Sequence, residues 1–200
     1  NKTPKEYQSG LILYVGTIIR KKGVLELPKI FSKVRKQFPD AQLLLIGSDA
    51  PDIQTNSSST WEVLSNMFPE EERKKVAYIG KKPYTEVQQY IQKANVCVFP
   101  TFAETLGMVT IEAMAMQKAV VNSNIGWAQE LIIDGESGFL VHPKNHDEYA
   151  GKIIALLQNN TLVQEIGTQA RARVEAKFDI RNLVKENIES YQQLIQNTKD

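Results

Sequence analysis

The fold of this 200-residue chain is first visible in residues 11–23, LILYVGTIIRKKG. Five consecutive apolar and aromatic residues are typical of a strand that is buried on both faces of a parallel sheet. A glycine follows at once, then a loop with three adjacent cations and a second glycine, after which apolar residues recur at helical spacing. This order of strand, glycine-bounded loop and helix predicts the first unit of an α/β fold.

The same alternation continues along the chain and predicts a doubly wound, mostly parallel, six-stranded Rossmann-like sheet with helices on both faces. Two further helices follow at the carboxyl end without an intervening strand. Pro28 requires the first helix to begin close to residue 23, because proline is tolerated only near the first turn. The predicted strands are 11–15, 42–46, 76–79, 96–99, 119–121 and 139–141. The predicted helices are 24–38, 60–67, 84–94, 107–117, 127–133, 147–158, 161–177 and 180–196.

The last predicted helix carries a stripe of large apolar residues, which we expect to be buried. The stripe consists of Ile180, Leu183, Val184, Ile188, Tyr191, Leu194 and Ile195. We expect the three methionines near the centre of the chain to fill the core. These are Met108, Met114 and Met116.

Composition excludes several classes of protein. The 24 basic and 23 acidic residues give a net charge of +1, so no global positive field favours nucleic acid. The single cysteine, Cys97, excludes an internal disulfide, and no apolar run approaches the ~20 residues of a membrane span. We therefore expect a soluble protein in the cytoplasm. Peripheral association of a longer parent protein with the inner face of the membrane stays open.

Ligands of open parallel sheets bind at the carboxyl ends of the strands, near the point where the strand order reverses. The loop after the first predicted strand holds Arg20, Lys21 and Lys22 before a helix, a combination that suits a phosphate or diphosphate. After the fourth predicted strand, Glu104 lies in the loop and Glu112 lies inside a nearly apolar helix. A carboxylate in such a helix needs a hydrogen-bond donor, which a ribose diol could supply. The alternative is that Glu112 pairs with a neighbouring helix or reaches solvent.

Other common site signatures are absent from the sequence. No G-x-G and no Gly-Lys-Ser/Thr occurs, which disfavours a dinucleotide dehydrogenase and a P-loop NTPase. No Asp-x-Asp pair is present to hold a divalent metal, and His142 and His146 flank Pro143 without an evident third ligand. We expect neither a metal nor another cofactor.

Together these residues resemble the carboxyl-terminal, donor-binding half of the family 4 retaining glycosyltransferases, which have the glycosyltransferase B fold. The family's E-x7-E spacing is met by Glu104 and Glu112, and its glycine loop ending in Lys-Gly by Gly16, Lys22 and Gly23. The turn at Gly80 and the later segments 126–131 and 138–141 follow in the family's order. The resemblance spans roughly residues 11–141 and the terminal helices.

The resemblance implies a role for each matching residue. Lys22 would hold the donor diphosphate, Glu112 the nucleotide ribose, and Glu104 the transferred sugar, so that Glu104 and Lys22 are the catalytic residues. Thr17 stands where many relatives carry arginine, and Arg20 is the alternative second cation. Further residues would line the diphosphate and the sugar, namely Gly16, Thr105, Leu106, Gly107 and Met108. The base would be lined by Gly80, Lys81 and Lys82.

The implied reaction is the metal-independent transfer of a hexosyl group from a nucleoside diphosphate sugar to a saccharide or lipid-linked acceptor, with retention of configuration. We expect residues 1–200 to form a single donor domain of a longer protein, whose amino-terminal half would bind the acceptor. Two alternatives remain open from the residues alone. One is a non-catalytic nucleotide-binding α/β module, and the other is a nucleotide-sugar epimerase of the same two-domain architecture.

Overall fold

The computed structural model describes residues 7–197, so residues 1–6 and 198–200 of the predicted domain lie outside the described part. Strands and helices alternate along most of it, as the apolar pattern predicts. The strands are β1 (Leu11–Val15), β2 (Gln42–Ile46), β3 (Val76–Tyr78), β4 (Val96–Phe99), β5 (Val120–Asn122) and β6 (Phe139–Leu140). The helices are α1 (Leu27–Gln37), α2 (Thr60–Met67), α3 (Glu70–Arg73), α4 (Tyr84–Lys93), α5 (Met108–Ala115), α6 (Ala128–Leu131), α7 (His146–Gln158), α8 (Asn160–Phe178) and α9 (Ile180–Asn197).

The six strands form one sheet in the order β3-β2-β1-β4-β5-β6, and every neighbouring pair is parallel. The predicted α/β sheet is therefore confirmed. At its centre Leu13 of β1 lies beside Leu44 of β2 and Cys97 of β4. The chain order reverses between β1 and β4, so the loops that follow these two strands diverge from a common crevice.

Alternate residues of each central strand pack into two apolar clusters on opposite faces of the sheet. On one face Ile12 and Val98 join side chains of α1 and α7, and on the other Leu13 and Cys97 join α4 and α5. Both clusters are almost completely shielded from solvent. This burial on both faces is the reason that the strands are apolar throughout instead of alternating.

Helix bounds differ from the predictions in several places, and α6 spans four residues instead of the predicted seven. The segment before α1 forms two short 3₁₀ turns, Arg20–Lys22 and Val24–Glu26, and α1 itself begins only at Leu27 with Pro28 in its first turn. The short α3 was not predicted, because its four residues are too few to show a period. The α7 helix begins at His146, one residue before the predicted start, and Asn145 caps it by accepting the amide of Glu148.

The predicted burial of the α9 stripe is wrong for most of its residues. Ile180, Ile188 and Tyr191 are 69%, 51% and 65% exposed, and only Leu183 is half-buried. Helical spacing predicts that a helix has an apolar face but does not specify what covers that face. No helix in residues 7–197 combines the length and the apolar character that a bilayer crossing requires.

Candidate functional site

A cleft opens where the loops after β1 and β4 diverge, at the reversal point of the strand order. It holds about 550 Å³ of empty space, open solvent at its mouth included. Five of the residues predicted to hold the donor line it. These are Gly16, Lys22, Glu104, Leu106 and Gly107. The remaining lining is mostly apolar and comes from β1, β4, α5 and the segment 122–131.

The two loops touch each other next to residues that line this cleft. The backbone of Gly23 adopts a left-handed conformation with a φ of 70° and lies against the carbonyl group of Pro100. The amide of Phe102 donates a hydrogen bond to the carbonyl oxygen of Lys21 at 3.0 Å. These contacts place the residues that precede Gly23 beside those that follow Phe102.

Lys22 and Glu104 meet across this junction. The Lys22 ammonium forms an ion pair with Glu104 Oε2, and the amide of Thr105 donates to Glu104 Oε1 at 3.0 Å. Desolvation alone would raise the pKa of the Glu104 carboxyl, but the hydrogen bonds from Lys22 and Thr105 bring that pKa below its usual value. Glu104 is therefore ionised at neutral pH and satisfied by groups of the chain itself.

Arg20 lies in the same loop as Lys22 but binds a different partner. Its guanidinium donates two hydrogen bonds to the buried Asp52, at 3.0 and 2.6 Å, and Thr55 donates a third at 2.7 Å. The hydrogen bond from Arg20 and then that from Thr55 lower the pKa of Asp52 to about 2. This pairing anchors the long polar loop after β2 and argues against Arg20 as the second diphosphate cation.

Glu112 lies on α5 outside the lining of the cleft. Burial raises the pKa of its carboxyl, and a hydrogen bond with the Tyr84 side chain opposes that shift. Tyr84 is 57% exposed and begins α4, directly after the turn of Gly80, Lys81 and Lys82. The structure thus gives Glu112 a hydrogen-bond partner on a neighbouring helix, as one of the alternatives expects, and places it near the predicted base-binding turn.

The remaining predicted positions lie around the same end of the sheet. Thr17 offers its carbonyl oxygen to the Tyr14 hydroxyl at 3.0 Å. Gly80 accepts a hydrogen bond from the amide of Gly47 at 3.0 Å, and the Lys82 ammonium lies 4.0 Å from Glu86.

Large apolar side chains stand exposed at the mouth of the cleft. Leu106 and Trp127 both line it, with 45% and 59% of their surface exposed. Met108, at the start of α5, is 55% exposed, so the expectation that it fills the core is wrong, whereas Met114 is fully buried. The α5 helix begins at this rim, and the first amides of a helix lack partners within it. In α5 the amide of Thr110 already donates to the Gly107 carbonyl oxygen at 2.9 Å, so the amides before Thr110 are the ones that a ligand could meet.

Several lining residues were not singled out from the sequence. Asn122 at the end of β5 donates to the Thr110 hydroxyl of α5 at 3.0 Å, and both side chains are buried. Tyr14 lines the cleft from β1, and burial, with a smaller contribution from Glu104, raises the pKa of its phenol. Asn122 could have been found from the sequence, because a polar residue at the end of an apolar strand is a signal for a site. Tyr14 could not, because in the sequence it looks the same as a core residue.

The two histidines considered for a metal take other partners. His146 Nε2 lies 2.6 Å from Glu26 Oε2, and His142 Nδ1 accepts the amide of Lys144 at 3.2 Å. In residues 7–197 no three histidine, cysteine, aspartate or glutamate side chains are grouped as a metal site requires.

Comparison with known proteins gives a consistent result. A family model described as "Glycosyl transferases group 1" matches residues 1–173. The capsular polysaccharide biosynthesis glycosyltransferase CapM of Staphylococcus aureus is 31% identical over 195 residues, which cover 95% of this chain and 49% of CapM. The chain spans about half the length of the curated relatives that it matches.

Solved structures show the same fold. Sucrose-phosphate synthase from Thermosynechococcus elongatus superposes with a TM-score of 0.78 at 29% identity, covering 98% of this chain and 47% of that one. The C-terminal domain of a glycosyl transferase group 1 family protein (LpcC) from Francisella tularensis superposes with a TM-score of 0.74 at 25% identity. In that pair the match covers 88% of this chain and 89% of the isolated domain.

Proposed function

Since this chain belongs to the glycosyl transferases group 1 family, we propose that it is the donor-binding half of a retaining, metal-independent hexosyltransferase. The observation that carries the proposal is the meeting of Lys22 and Glu104 at the reversal point of the sheet. A cation, a carboxylate and the first turn of α5 there border one cleft of a size suited to a small ligand.

In this proposal the diphosphate of a nucleotide sugar lies between the Lys22 ammonium and the amides at the start of α5. The diphosphate gains negative charge as the glycosidic bond breaks, and fixed positive groups aimed at that charge lower the barrier. Lys22 and the positive end of α5 supply such groups without a metal ion. The departing diphosphate takes the proton of the acceptor hydroxyl, so Glu104 orients the sugar and is not a nucleophile.

The nucleoside part would extend toward the turn of Gly80 to Lys82. The Glu112 carboxylate beside that turn would accept hydrogen bonds from the ribose diol, with Tyr84 giving up its place. The apolar rim residues Leu106 and Trp127 offer surfaces for a sugar face, since sugars present C–H groups as well as hydroxyls. The acceptor would bind outside this chain, which spans about half the length of CapM.

The acceptor is proposed to be a saccharide or a lipid-linked saccharide that binds an amino-terminal half. CapM is named for capsular polysaccharide biosynthesis, which is consistent with such an acceptor. A lipid-linked acceptor would bring the full protein to the inner face of the membrane. We expect residues 1–200 alone to bind donor weakly and to transfer little or no sugar.

Calorimetric titration of the chain with UDP, GDP, ADP and their sugar derivatives tests the donor site. We expect one base to be preferred, and we expect Lys22→Met to weaken binding roughly tenfold, as the loss of a charge-assisted contact predicts. Lys21→Met is the matched control, because Lys21 is adjacent and exposed and does not line the cleft. Equal affinity of both variants, or no binding of any nucleotide, would contradict the proposed function.

A further inference from the structure

The Glu104 carboxylate already occupies an anion site. One oxygen rests on the Lys22 ammonium and the other accepts the amide of Thr105, with the backbone of Gly107 adding a further hydrogen bond. A cation together with backbone amides in the loop that leads into a helix is a combination that also binds a phosphate. In this structure an internal carboxylate takes the position that an external anion would take.

The ion pair between Lys22 and Glu104 also leaves the cleft without a net charge. Among the residues that line it, Lys22 and Glu104 are the charged ones, so their charges cancel. Of the other two cations in the loop, Arg20 is committed to Asp52, and Lys21 does not line the cleft. A diphosphate that enters must therefore compete with Glu104 for Lys22, and it faces a carboxylate that repels it.

We propose, on the basis of the donor site described above, that Glu104 is an internal competitor for the diphosphate and makes the site selective for nucleotide sugars over free nucleoside diphosphates. Binding of either ligand moves Lys22 from the carboxylate to the diphosphate. The Glu104 carboxylate is then partly buried without its cation. This raises the free energy of the complex unless new hydrogen-bond donors reach the carboxylate. The hydroxyls of the sugar supply those donors, and a nucleoside diphosphate has no sugar to supply them.

The consequence is that the site binds the substrate, a nucleotide sugar, more tightly than the product, a nucleoside diphosphate. The nucleotide sugar leaves every charged group of the site with a partner, whereas the nucleoside diphosphate leaves Glu104 without one. Once the sugar has been transferred, the carboxylate returns to Lys22 and displaces the diphosphate. One residue would thus both orient the sugar and promote release of the product.

The test compares the affinities of this chain for a nucleoside diphosphate and for its sugar derivative, with UDP and UDP-glucose, GDP and GDP-mannose, and ADP and ADP-glucose as probes. In Glu104→Gln we expect the nucleoside diphosphate to bind about fivefold to tenfold more tightly than in the wild type, because repulsion and competition are removed. The sugar derivative should gain less, so the preference for it falls. Glu104→Ala should behave in the same way, and Glu136→Gln, an exposed glutamate, should change neither affinity.

A double-mutant cycle with Lys22→Met separates competition from other effects of Glu104. The gain from Glu104→Gln should fall to about twofold or less once Lys22 is absent. Suppose that the wild type binds nucleotides, that Lys22→Met weakens this binding, and that Glu104→Gln does not bind the nucleoside diphosphate more tightly. The role of Glu104 as an internal competitor is then refuted, while the proposed donor site is retained. If no probe binds the wild type, both proposals are refuted.

Discussion

Gly23 lies so close to Pro100 that a β-carbon on Gly23 would stand 1.7 Å from the Pro100 carbonyl oxygen. This contact joins the loop after β1 to the loop after β4, and Lys22 immediately precedes it. The glycine is thus needed both for its left-handed backbone and for the space that a side chain would fill.

Gly23→Ala should lower the free energy of unfolding by about 2–4 kcal/mol, since a left-handed alanine costs ~1–2 kcal/mol and overpacking adds a similar amount. Gly135→Ala is the control, because Gly135 has a φ of 75° but nothing within 4 Å of the added carbon. The Gly135→Ala variant should lose only the free energy that a left-handed alanine costs, about 1–2 kcal/mol. Urea denaturation measures both, and equal losses would show that the contact with Pro100 can relax.

Tyr149 ties two central strands together from inside the core. Its hydroxyl donates to the Val121 carbonyl of β5 at 2.6 Å and accepts the Phe99 amide of β4 at 3.2 Å. Tyr149→Phe should cost about 1–3 kcal/mol, because buried backbone groups lose their partner. Tyr191→Phe, at an exposed tyrosine of α9, should stay within about 0.5 kcal/mol of the wild type, and urea denaturation of both variants measures the difference. If Tyr149→Phe were as stable as the wild type, water or a shift of the backbone would have to replace the hydroxyl.

Glu112 should destabilise the fold when it is ionised. Burial raises the pKa of its carboxyl above the value in the unfolded chain, so the penalty is present above the folded-state pKa and disappears as the pH falls below the unfolded value of ~4.3. Glu112→Gln should therefore raise stability at pH 7 by up to about 1 kcal/mol, the limit for a half-exposed charge. Chemical denaturation from pH 7 to pH 4 should show this gain shrink. A gain that is independent of pH would rule out ionisation as the cause.

The apolar stripe of α9 should contribute little to the stability of this chain. Val184→Ser and Ile188→Ser alter side chains that are 47% and 51% exposed, so we expect changes within about 0.5 kcal/mol. Val174→Ser in α8 is the buried counterpart, at 8% exposure, and should cost about 2 kcal/mol through lost packing. Thermal melts of the three variants compare them directly. A large cost for Ile188→Ser would mean that the stripe is covered in solution.

The sequence predicted the sheet well because each strand is a short apolar run between polar loops, and burial on both faces leaves few other arrangements. Strand bounds moved by one residue at most, as at β5, where the ladder starts at Val120 and includes Asn122. The prediction failed where periodicity carries no information. The 3₁₀ turns around Gly23 depend on a contact with Pro100, which lies far away in the chain.

The sequence by itself determined the order of strands and helices, and with it the end of the sheet where a site can form, because hydrophobic periodicity and glycine-bounded loops are local properties. It also singled out Lys22 and Glu104 as chemically unusual. Only the tertiary structure decided that these two side chains neutralise each other, that Arg20 is held by Asp52, and that the α9 stripe stays exposed. The pairing of charges and the covering of a helix face are fixed by groups distant in the chain, which no local pattern records.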